Sequence, residues 1–542
     1  MAARAAAAFG CWSLLLAAVI IQLGQAQRTG DRTYEPAISD LYITVNARYQ
    51  SLELTWRNFD DPDGYIVLTE DFPVDSFQQR TFYYSVETSP DAVGSTSPGS
   101  VSELDLEKEE DASGSGTDDS NRSVRQLEVD NVGVASSNLK TSTETRPTTT
   151  TTTAQPPTTQ LVELDWEYDF RDEYGQRKKE VLFSIKPKYQ NGWTRTDIIF
   201  DHSFMDQVAI TTSCYGYYAY FINGNGTVQS SYCMKLYPTW MNDLKGHIGQ
   251  FRVREMFIPG THDSASFKKN FNHHKNDNIV TKYSLTQDDD IRNQLLQGVR
   301  YIDLRVGYYK TSNQEFWANH GISKMHPLKT ILNQIKDYAL ETREIIIVDI
   351  QEFPVGFGKN YDIHDKLIRL LNESLHEVMA DSLISWYGKL DDIWAHNKTV
   401  ILAYDHEYAI RTYPDVVWRS AEQKWGNVQR MEDLKSYLFK IHKRHQSGTT
   451  NRPVADMAEL TPDPWGVITD RYGGLRKMAE SINRWVTKWY FEELGPTANI
   501  VAVDFIRGTS IIDAALYWNL KRVPNARDDG VRRLTVPYYK KK

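Results

Sequence analysis

From residue 257 to residue 504 the chain keeps returning to one pattern, a short apolar run followed by a segment with helical spacing, and few folds accept that rhythm. The runs Phe257-Ile-Pro-Gly260, Tyr301-Ile-Asp-Leu-Arg-Val306, Glu344-Ile-Ile-Ile-Val-Asp-Ile350, Thr399-Val-Ile-Leu-Ala-Tyr404 and Asn499-Ile-Val-Ala-Val-Asp504 read as strands, the third a continuous apolar run of the type buried on both faces of a parallel sheet. Val416-Val-Trp418 and Gly466-Val-Ile-Thr469 read as weaker strands of the same series. Between them, Ile291, Leu295, Leu296 and Val299 mark a helical face with Thr286 as its N-cap. Pro327 stands where a first-turn proline belongs, ahead of Leu328, Ile331, Leu332, Ile335, Tyr338 and Ala339. Leu367, Leu370 and Leu371, then Leu475, Met478, Ile482, Trp485 and Trp489, continue the series. Up to eight β/α units fit within residues 245–540, which suits a TIM-type barrel with its functional groups at the C-terminal strand ends.

The 542 residues exceed one domain, and the upstream part has a different pattern. Leu41-Tyr-Ile-Thr-Val45, Leu52-Glu-Leu-Thr-Trp56 and Tyr65-Ile-Val-Leu68 alternate or cluster β-branched and aromatic residues, with Asp-Pro-Asp-Gly at 61–64 as a turn. Strand patterns resume at 181–185, 196–200, 207–211, 215–222 and 227–231, the last two joined by the hairpin sequence Asn223-Gly-Asn-Gly226. Residues 91–160 carry twelve acidic against five basic side chains and end in a Thr/Pro run. That stretch has too little apolar surface to offset chain ordering, so it reads as a disordered, O-glycosylated stalk. The expected architecture is therefore multidomain: an all-β sandwich built from residues 35–90 and 161–240, interrupted by the insertion, then an α/β barrel. Two separate small β modules are the alternative.

Arg4, an apolar run from Trp12 to Ile21 and the small-residue site Gly24-Gln-Ala26 read as a secretory signal peptide covering residues 1–26. No later run is long and apolar enough to span a bilayer. The expected mature chain is secreted, and Cys214 with Cys233 forms an even pair suited to a disulfide there. Asn121, Asn225, Asn372 and Asn397 begin glycosylation sequons. A formal net charge of -9 gives no reason to expect nucleic-acid binding.

The chemistry-bearing residues lie in three consecutive pieces. Phe257-Ile-Pro-Gly-Thr-His-Asp-Ser-Ala-Ser266 ends an apolar run at a turn and presents His262 beside Asp263. In Gly298-Val-Arg-Tyr-Ile-Asp-Leu-Arg-Val306, alternation puts Tyr301, Asp303 and Arg305 on one face and Ile302 and Leu304 on the other. Glu315-Phe-Trp-Ala-Asn-His-Gly321 brings His320. Two imidazoles can divide acid and base work because they titrate near neutrality, and a guanidinium can hold a phosphoryl group.

In this order the three pieces resemble the catalytic X region of phosphatidylinositol-specific phospholipase C, over roughly residues 245–540. The resemblance implies His262 as the base for the inositol 2-hydroxyl and His320 as the acid for the diacylglycerol oxygen. It also implies Asp504 orienting His262 and Asp263 supporting His320. The calcium-dependent eukaryotic members have two acidic metal ligands on the second strand. Here Asp303 is followed by Arg305, the bacterial arrangement, in which a guanidinium replaces the metal, so neither metal nor other cofactor is expected. The implied partner is a phosphoinositide-like lipid at a membrane surface. At the end of the fourth strand the bacterial enzymes place a basic residue for the inositol ring, where this chain reads Asp349-Ile-Gln-Glu352. Gln351, Tyr404 and Trp418 are the candidate ring contacts.

Bland readings stand beside these. Asp303 with Arg305 could be an interior ion pair, and Asp504 a strand-end turn former. His273 and His274 sit among Asn and Lys residues and receive no role. A lipid-head-group or glycan-binding protein on a barrel whose catalysis has lapsed is the alternative function. A glycerophosphodiester hydrolase would need an acidic metal cluster, against which Arg305 speaks.

Overall fold

The computed structural model describes residues 39–70, 80–82, 164–167, 181–206, 210–359, 361–444 and 451–523. The signal peptide expected at 1–26, the stalk expected at 91–160 with Asn121, and most of the strand expected at 207–211 lie outside the described residues.

Nine strands precede the α/β region: β1 (Leu41–Val45), β2 (Ser51–Trp56), β3 (Tyr65–Thr69), β4 (Arg80–Phe82), β5 (Leu164–Glu167), β6 (Val181–Ile185), β7 (Gly192–Ile199), β8 (Ser213–Ile222) and β9 (Val228–Leu236). They form two antiparallel sheets, in the orders β1-β2-β7 and β6-β3-β8-β9, and a separate β4-β5 ribbon. β2 pairs with β7, and β3 with both β6 and β8, so each sheet mixes strands from before and after the insertion. Alternation explains the burial: Leu52, Leu54 and Trp56 of β2 join one apolar cluster with Ile66, Leu68, Ala219 and Phe221. The β8–β9 hairpin turns at Asn223 and brings Cys214 and Cys233 into a disulfide with Cα atoms 5.6 Å apart.

Eight parallel strands follow: β10 (Ile258–Thr261), β11 (Tyr301–Tyr308), β14 (Ile346–Glu352), β15 (Val400–Tyr404), β16 (Trp418–Arg419), β17 (Glu422–Trp425), β18 (Val454–Met457) and β19 (Ile500–Val503). An antiparallel pair, β12 (Phe316–His320) and β13 (Ser323–Pro327), extends β11. Main-sheet order is β16-β15-β14-β11-β10-β19-β18-β17. Only Ser420 and Ala421 separate its two end strands, so the sheet curls until its edges meet on one bent stretch of chain. Where up to eight separate β/α units are expected, residues 418–425 thus serve two sheet positions. Side chains satisfy the bend: the Ala421 N–H donates to Asp349 Oδ2 at 3.0 Å, and Gln351 Nε2 donates to the Ala421 carbonyl at 3.1 Å.

Side-chain parity sorts the sheet into two faces. Ile302, Leu304, Val348, Leu402, Val501 and Val503 pack against the helices, among them Leu328–Thr342 and Leu475–Trp489. Tyr301, Ile347, Ile401, Ala455, Met457, Ile500 and Ala502 fill the concave side.

Three expectations need correction. Residues 466–469 are not a strand: Pro464–Ile468 is a short helix whose N-cap is Asp463, and the strand of that unit is β18, Val-Ala-Asp-Met, too short and polar to stand out. Thr286 is not the N-cap of the Ile291–Gln297 helix. Asp290 caps it, while Thr286 Oγ1 donates to the Asp263 carbonyl at 2.9 Å. Pro327 ends β13 and occupies the N-cap rather than the first turn.

The β region rests on the helix Leu475–Trp489. Buried Glu53 accepts from Arg484 at 3.0 Å through both oxygens, and Glu480 pairs with Arg48 and Arg195 at 3.7 Å. A second anchor holds the segment that links the two regions. Glu344, fully buried, accepts from the Met241 and Asn242 N–H groups at 3.0 and 2.8 Å and from Arg300 Nε at 2.9 Å. Removing one member of such a pair strands the other charge in the interior. Glu344→Ala should therefore cost about 3–5 kcal/mol in urea unfolding. A loss below about 1 kcal/mol would contradict this account of the pair.

Candidate active site

The site begins where β10 stops. After Thr261 the chain turns through Asp263, whose φ of 40° is left-handed and is tolerated better by Asp than by most side chains. The strain is held by a buried carboxylate on the next strand. The Asp263 N–H donates to Asp303 Oδ2 at 2.9 Å, the Ser264 N–H to the Asp303 carbonyl at 2.9 Å, and the Asp303 N–H to Ser264 Oγ at 2.9 Å. Gln423 Nε2 occupies the other Asp303 oxygen at 3.0 Å. Both oxygens of Asp303 are thus committed to protein donors, and the next residue on that face is a cation. The residues present do not fit a calcium ion.

This turn projects His262 over the concave end of the sheet. Its Nδ1 lies 2.8 Å from Asp504 Oδ1, at the end of β19, and its Nε2 lies 3.0 Å from Arg305 Nη2. A guanidinium can only donate, so Nε2 is the acceptor, and the proton sits on Nδ1 facing Asp504. Burial is the main force lowering the His262 pKa, to about 4, and Arg305 adds to it against the pull of Asp263. A neutral imidazole whose Nε2 lone pair is held only by a guanidinium can serve as a base once that cation moves onto an anion.

His320, at the end of β12, completes the other side. Its Nδ1 donates to the Ser284 carbonyl at 3.0 Å, leaving Nε2 3.4 Å from Asp263 Oδ2. Burial, then Arg305, lowers its pKa. The two imidazole rings stand 6.1 Å apart and nearly perpendicular. Arg305 is clasped by Asp263 at 3.3 Å and Glu352 at 3.6 Å and lies 5.5 Å above the Trp425 ring. Burial opposes its charge, but Asp263, Asp303 and Glu352 outweigh that and raise its pKa. Burial also raises the carboxyls, which works against their charge: it raises Asp263 and Asp303, and lifts Asp504 to about 8.

His262, Asp263, Asp303, Arg305, His320 and Asp504 therefore share one cluster, and the three proposed ring contacts do not. Gln351 turns back, donating to Asp349 Oδ2 at 2.8 Å and to the Ala421 carbonyl. Tyr404 has outward parity, is fully buried, and its hydroxyl meets His364 Nδ1 at 2.8 Å. Trp418 is buried against Trp386 with ring centres 4.8 Å apart. Four residues not singled out beforehand stand at the cluster: Glu352, Gln423, Trp425 and Glu459. Gln423 and Trp425 lie on Glu-Gln-Lys-Trp, whose polarity hides a strand, and Glu459 follows the equally inconspicuous β18. Asn225, Asn372 and Asn397 are exposed.

Two histidines, a guanidinium and their carboxylate partners at the C-terminal edge of a curled parallel β/α sheet define a protein equipped for acid–base work beside an anion. Residues 256–354 match the family model "Phosphatidylinositol-specific phospholipase C, X domain", and this stretch of the chain is similar to that family. Among curated relatives, PI-PLC X domain-containing protein 1 of Danio rerio is 24% identical over 294 residues, covering 50% of this chain and 92% of that protein. The Homo sapiens protein of that name is 23% identical over 324 residues, 55% of this chain and 98% of that one. Solved structures of phosphatidylinositol-specific phospholipase C are also similar. One from Staphylococcus aureus has a TM-score of 0.42 at 15% identity, covering 52% of this chain and 97% of its own. One from Listeria monocytogenes has 0.39 at 16%, covering 52% and 98%.

The tautomer has a measurable consequence. With its folded pKa near 4, His262 binds fewer protons folded than unfolded below the ordinary value of about 6.5, so it costs stability as pH falls, by about 2 kcal/mol at pH 5. His262→Gln removes that contribution, and its melting temperature should fall less between pH 7 and pH 5 than the wild type's. An equal or steeper fall would mean a protonated imidazole in the folded protein.

Proposed function

We propose that the protein is a secreted phosphodiesterase that cleaves a phosphatidylinositol-like lipid by histidine acid–base catalysis, with Arg305 in the place of a metal. The observation that carries this reading is the position of that guanidinium, 3.0 Å from His262 Nε2 and 3.3 Å from Asp263. An incoming phosphodiester draws Arg305 onto a phosphoryl oxygen and frees the Nε2 lone pair. His262 then takes the proton of the ring hydroxyl next to the phosphate, and that oxygen attacks phosphorus. As the bond to the diacylglycerol oxygen breaks, His320, carrying a second proton on Nε2 beside Asp263 when the anionic substrate is bound, gives that proton to the leaving group, and a cyclic inositol phosphate remains. Asp504 fixes the His262 tautomer, and Asp263 favours the protonated form of His320.

The curled sheet is read as a TIM-type barrel and the two N-terminal sheets as one sandwich set against it. Contact with a lipid surface is supported by exposed apolar side chains on segments after the C-terminal ends of β10, β11 and β18: Val280, Ile322 at 88% exposure, and Trp465 and Ile468 at 68% and 71%. Lys282 and Tyr283 tie the first segment to the third through Asp470 at 2.6 and 3.1 Å. Export is supported by the disulfide and by the exposure of three sequons.

Purified protein incubated with phosphatidylinositol in excess chelator should release cyclic inositol phosphate. His262→Ala and His320→Ala should each lower the rate by roughly 10²–10⁴-fold, and Arg305→Ala by roughly 10²–10³-fold. Loss of wild-type turnover in chelator, or no turnover of any inositol lipid, would overturn the reading, and the second result would favour the lapsed binding protein. Trp465→Ala combined with Ile322→Ala should weaken sedimentation with phosphatidylinositol vesicles and leave the melting temperature unchanged.

A further inference from the structure

The acid–base scheme leaves one buried carboxyl unused. Glu459 follows β18 and is 4% exposed, and neither carboxylate oxygen has a hydrogen-bond partner among the described residues. A buried polar group without a partner is costly, which makes two such oxygens on one side chain informative.

Sheet parity says where it points. Asp456 faces outward, meeting His442 Nε2 and the Tyr490 hydroxyl at 2.8 Å, and Ala458 packs on the outer face with Val501 and Val503. Ala455 and Met457 fill the concave side with Ile500 and Ala502. The ladder continues past β18, since the Ala458 N–H donates to the Ala502 carbonyl at 2.9 Å. By the two-residue period, Glu459 and Asp504 lie on adjacent strands, both turned into the catalytic end. The charged groups that act on Glu459 agree: Asp504, Asp303, Arg305 and Asp263.

We propose that Glu459 is the residue that selects a cyclic polyol headgroup, its neutral carboxyl donating to one ring hydroxyl and accepting from a neighbouring one, next to the hydroxyl that attacks phosphorus. This rests on the phosphodiesterase reading above. Charge decides the protonation state. The substrate brings an anion into a space already holding Asp263, Asp303 and Asp504, while Arg305 is shared with Glu352. Another ionised carboxylate there would repel the phosphate, whereas a carboxylic acid both donates and accepts. Burial, reinforced by Asp504, raises the Glu459 pKa well above the carboxylate range, the direction this role needs. The assignment also fills a gap. With Gln351 turned toward Asp349 and Ala421, the ring contact expected at the end of β14 is missing, and Glu459 offers one from the opposite side. Headgroups without vicinal ring hydroxyls, such as choline or ethanolamine, cannot use both oxygens.

The test measures binding of myo-inositol to the full-length protein by saturation-transfer NMR, alongside turnover of phosphatidylinositol, for wild type, Glu459→Leu and Glu459→Gln. Wild type should bind inositol, and Glu459→Leu should weaken binding roughly 10- to 100-fold, raising KM more than it lowers kcat. Glu459→Gln, whose amide also donates and accepts, should recover most of that loss. Melting curves establish that each variant folds. The folded wild type retains a proton that the unfolded chain releases as pH rises above the ordinary glutamate value, so Glu459→Gln should melt higher than wild type at pH 8. Equal inositol binding by wild type and Glu459→Leu, or no binding by the folded wild type, overturns the proposal. So does a Glu459→Gln variant as weak as Glu459→Leu. Inositol binding that depends on Glu459, without lipid turnover, supports this inference and instead overturns the phosphodiesterase reading.

Discussion

The C-terminal end of the curled sheet depends on one buried carboxylate, Asp303. It accepts the N–H of Asp263 at 2.9 Å while its own N–H is held by Ser264. The turn it secures is left-handed at Asp263, a conformation that costs an L-residue roughly 1–2 kcal/mol. A hydrogen bond to a charged acceptor contributes about 1.5–3 kcal/mol, enough to offset that cost, and the geometry persists only while the acceptor is present. His262 and Asp263, one on either side of Arg305, inherit their directions from this contact. The same strand supplies Arg305 two residues on, so one short piece of β11 sets both the turn and the cation.

Around that cation the site holds more acids than bases, and desolvation rather than pairing keeps it tractable. Burial drives His262 and His320 toward the neutral form and Asp263, Asp303, Asp504 and Glu459 toward the protonated one. Arg305 alone is driven toward charge, because the acidic groups around it, Asp263, Asp303, Glu352 and Glu459, outweigh its own burial. Burial thus works against charge on the surrounding groups, while the guanidinium keeps its own. An arriving anion meets a cation already in place.

The parts of this arrangement legible in the sequence are those where apolar period and polar ends coincide. Ile302 and Leu304 alternate with Tyr301, Asp303 and Arg305, and the two sets do face opposite sides. Tyr404 obeys the same rule. It shares parity with Val400 and Leu402, so it had to point at the helices, while Ile401 and Ala403 pointed inward. Gln423, Trp425 and Glu459 carry no sequence signal because the strands that bear or precede them, Glu-Gln-Lys-Trp and Val-Ala-Asp-Met, contain no apolar run. Their extended form is imposed by pairing with neighbours distant in sequence. The joint at Ser420 and Ala421 was invisible for a related reason, since its backbone is satisfied by side chains from β14.

The N-terminal β region enters the same network. Arg484 reaches out to Glu53 of β2, while the preceding residue, Asn483, donates inward to the Asp504 carbonyl at 3.1 Å and to that of Phe505 at 3.4 Å. Gly508 sits in the gap: a Cβ there would lie 2.7 Å from Asn483 Nδ2 and 3.3 Å from the Val45 carbonyl of β1. The loop that presents Asp504 is thus packed between a helix of the curled sheet and the edge of the β region, with room for no side chain at that point. Because His262 takes its tautomer from Asp504, the placement of its proton depends on this packing. The β region thus forms a wall of this end of the sheet rather than a tethered accessory.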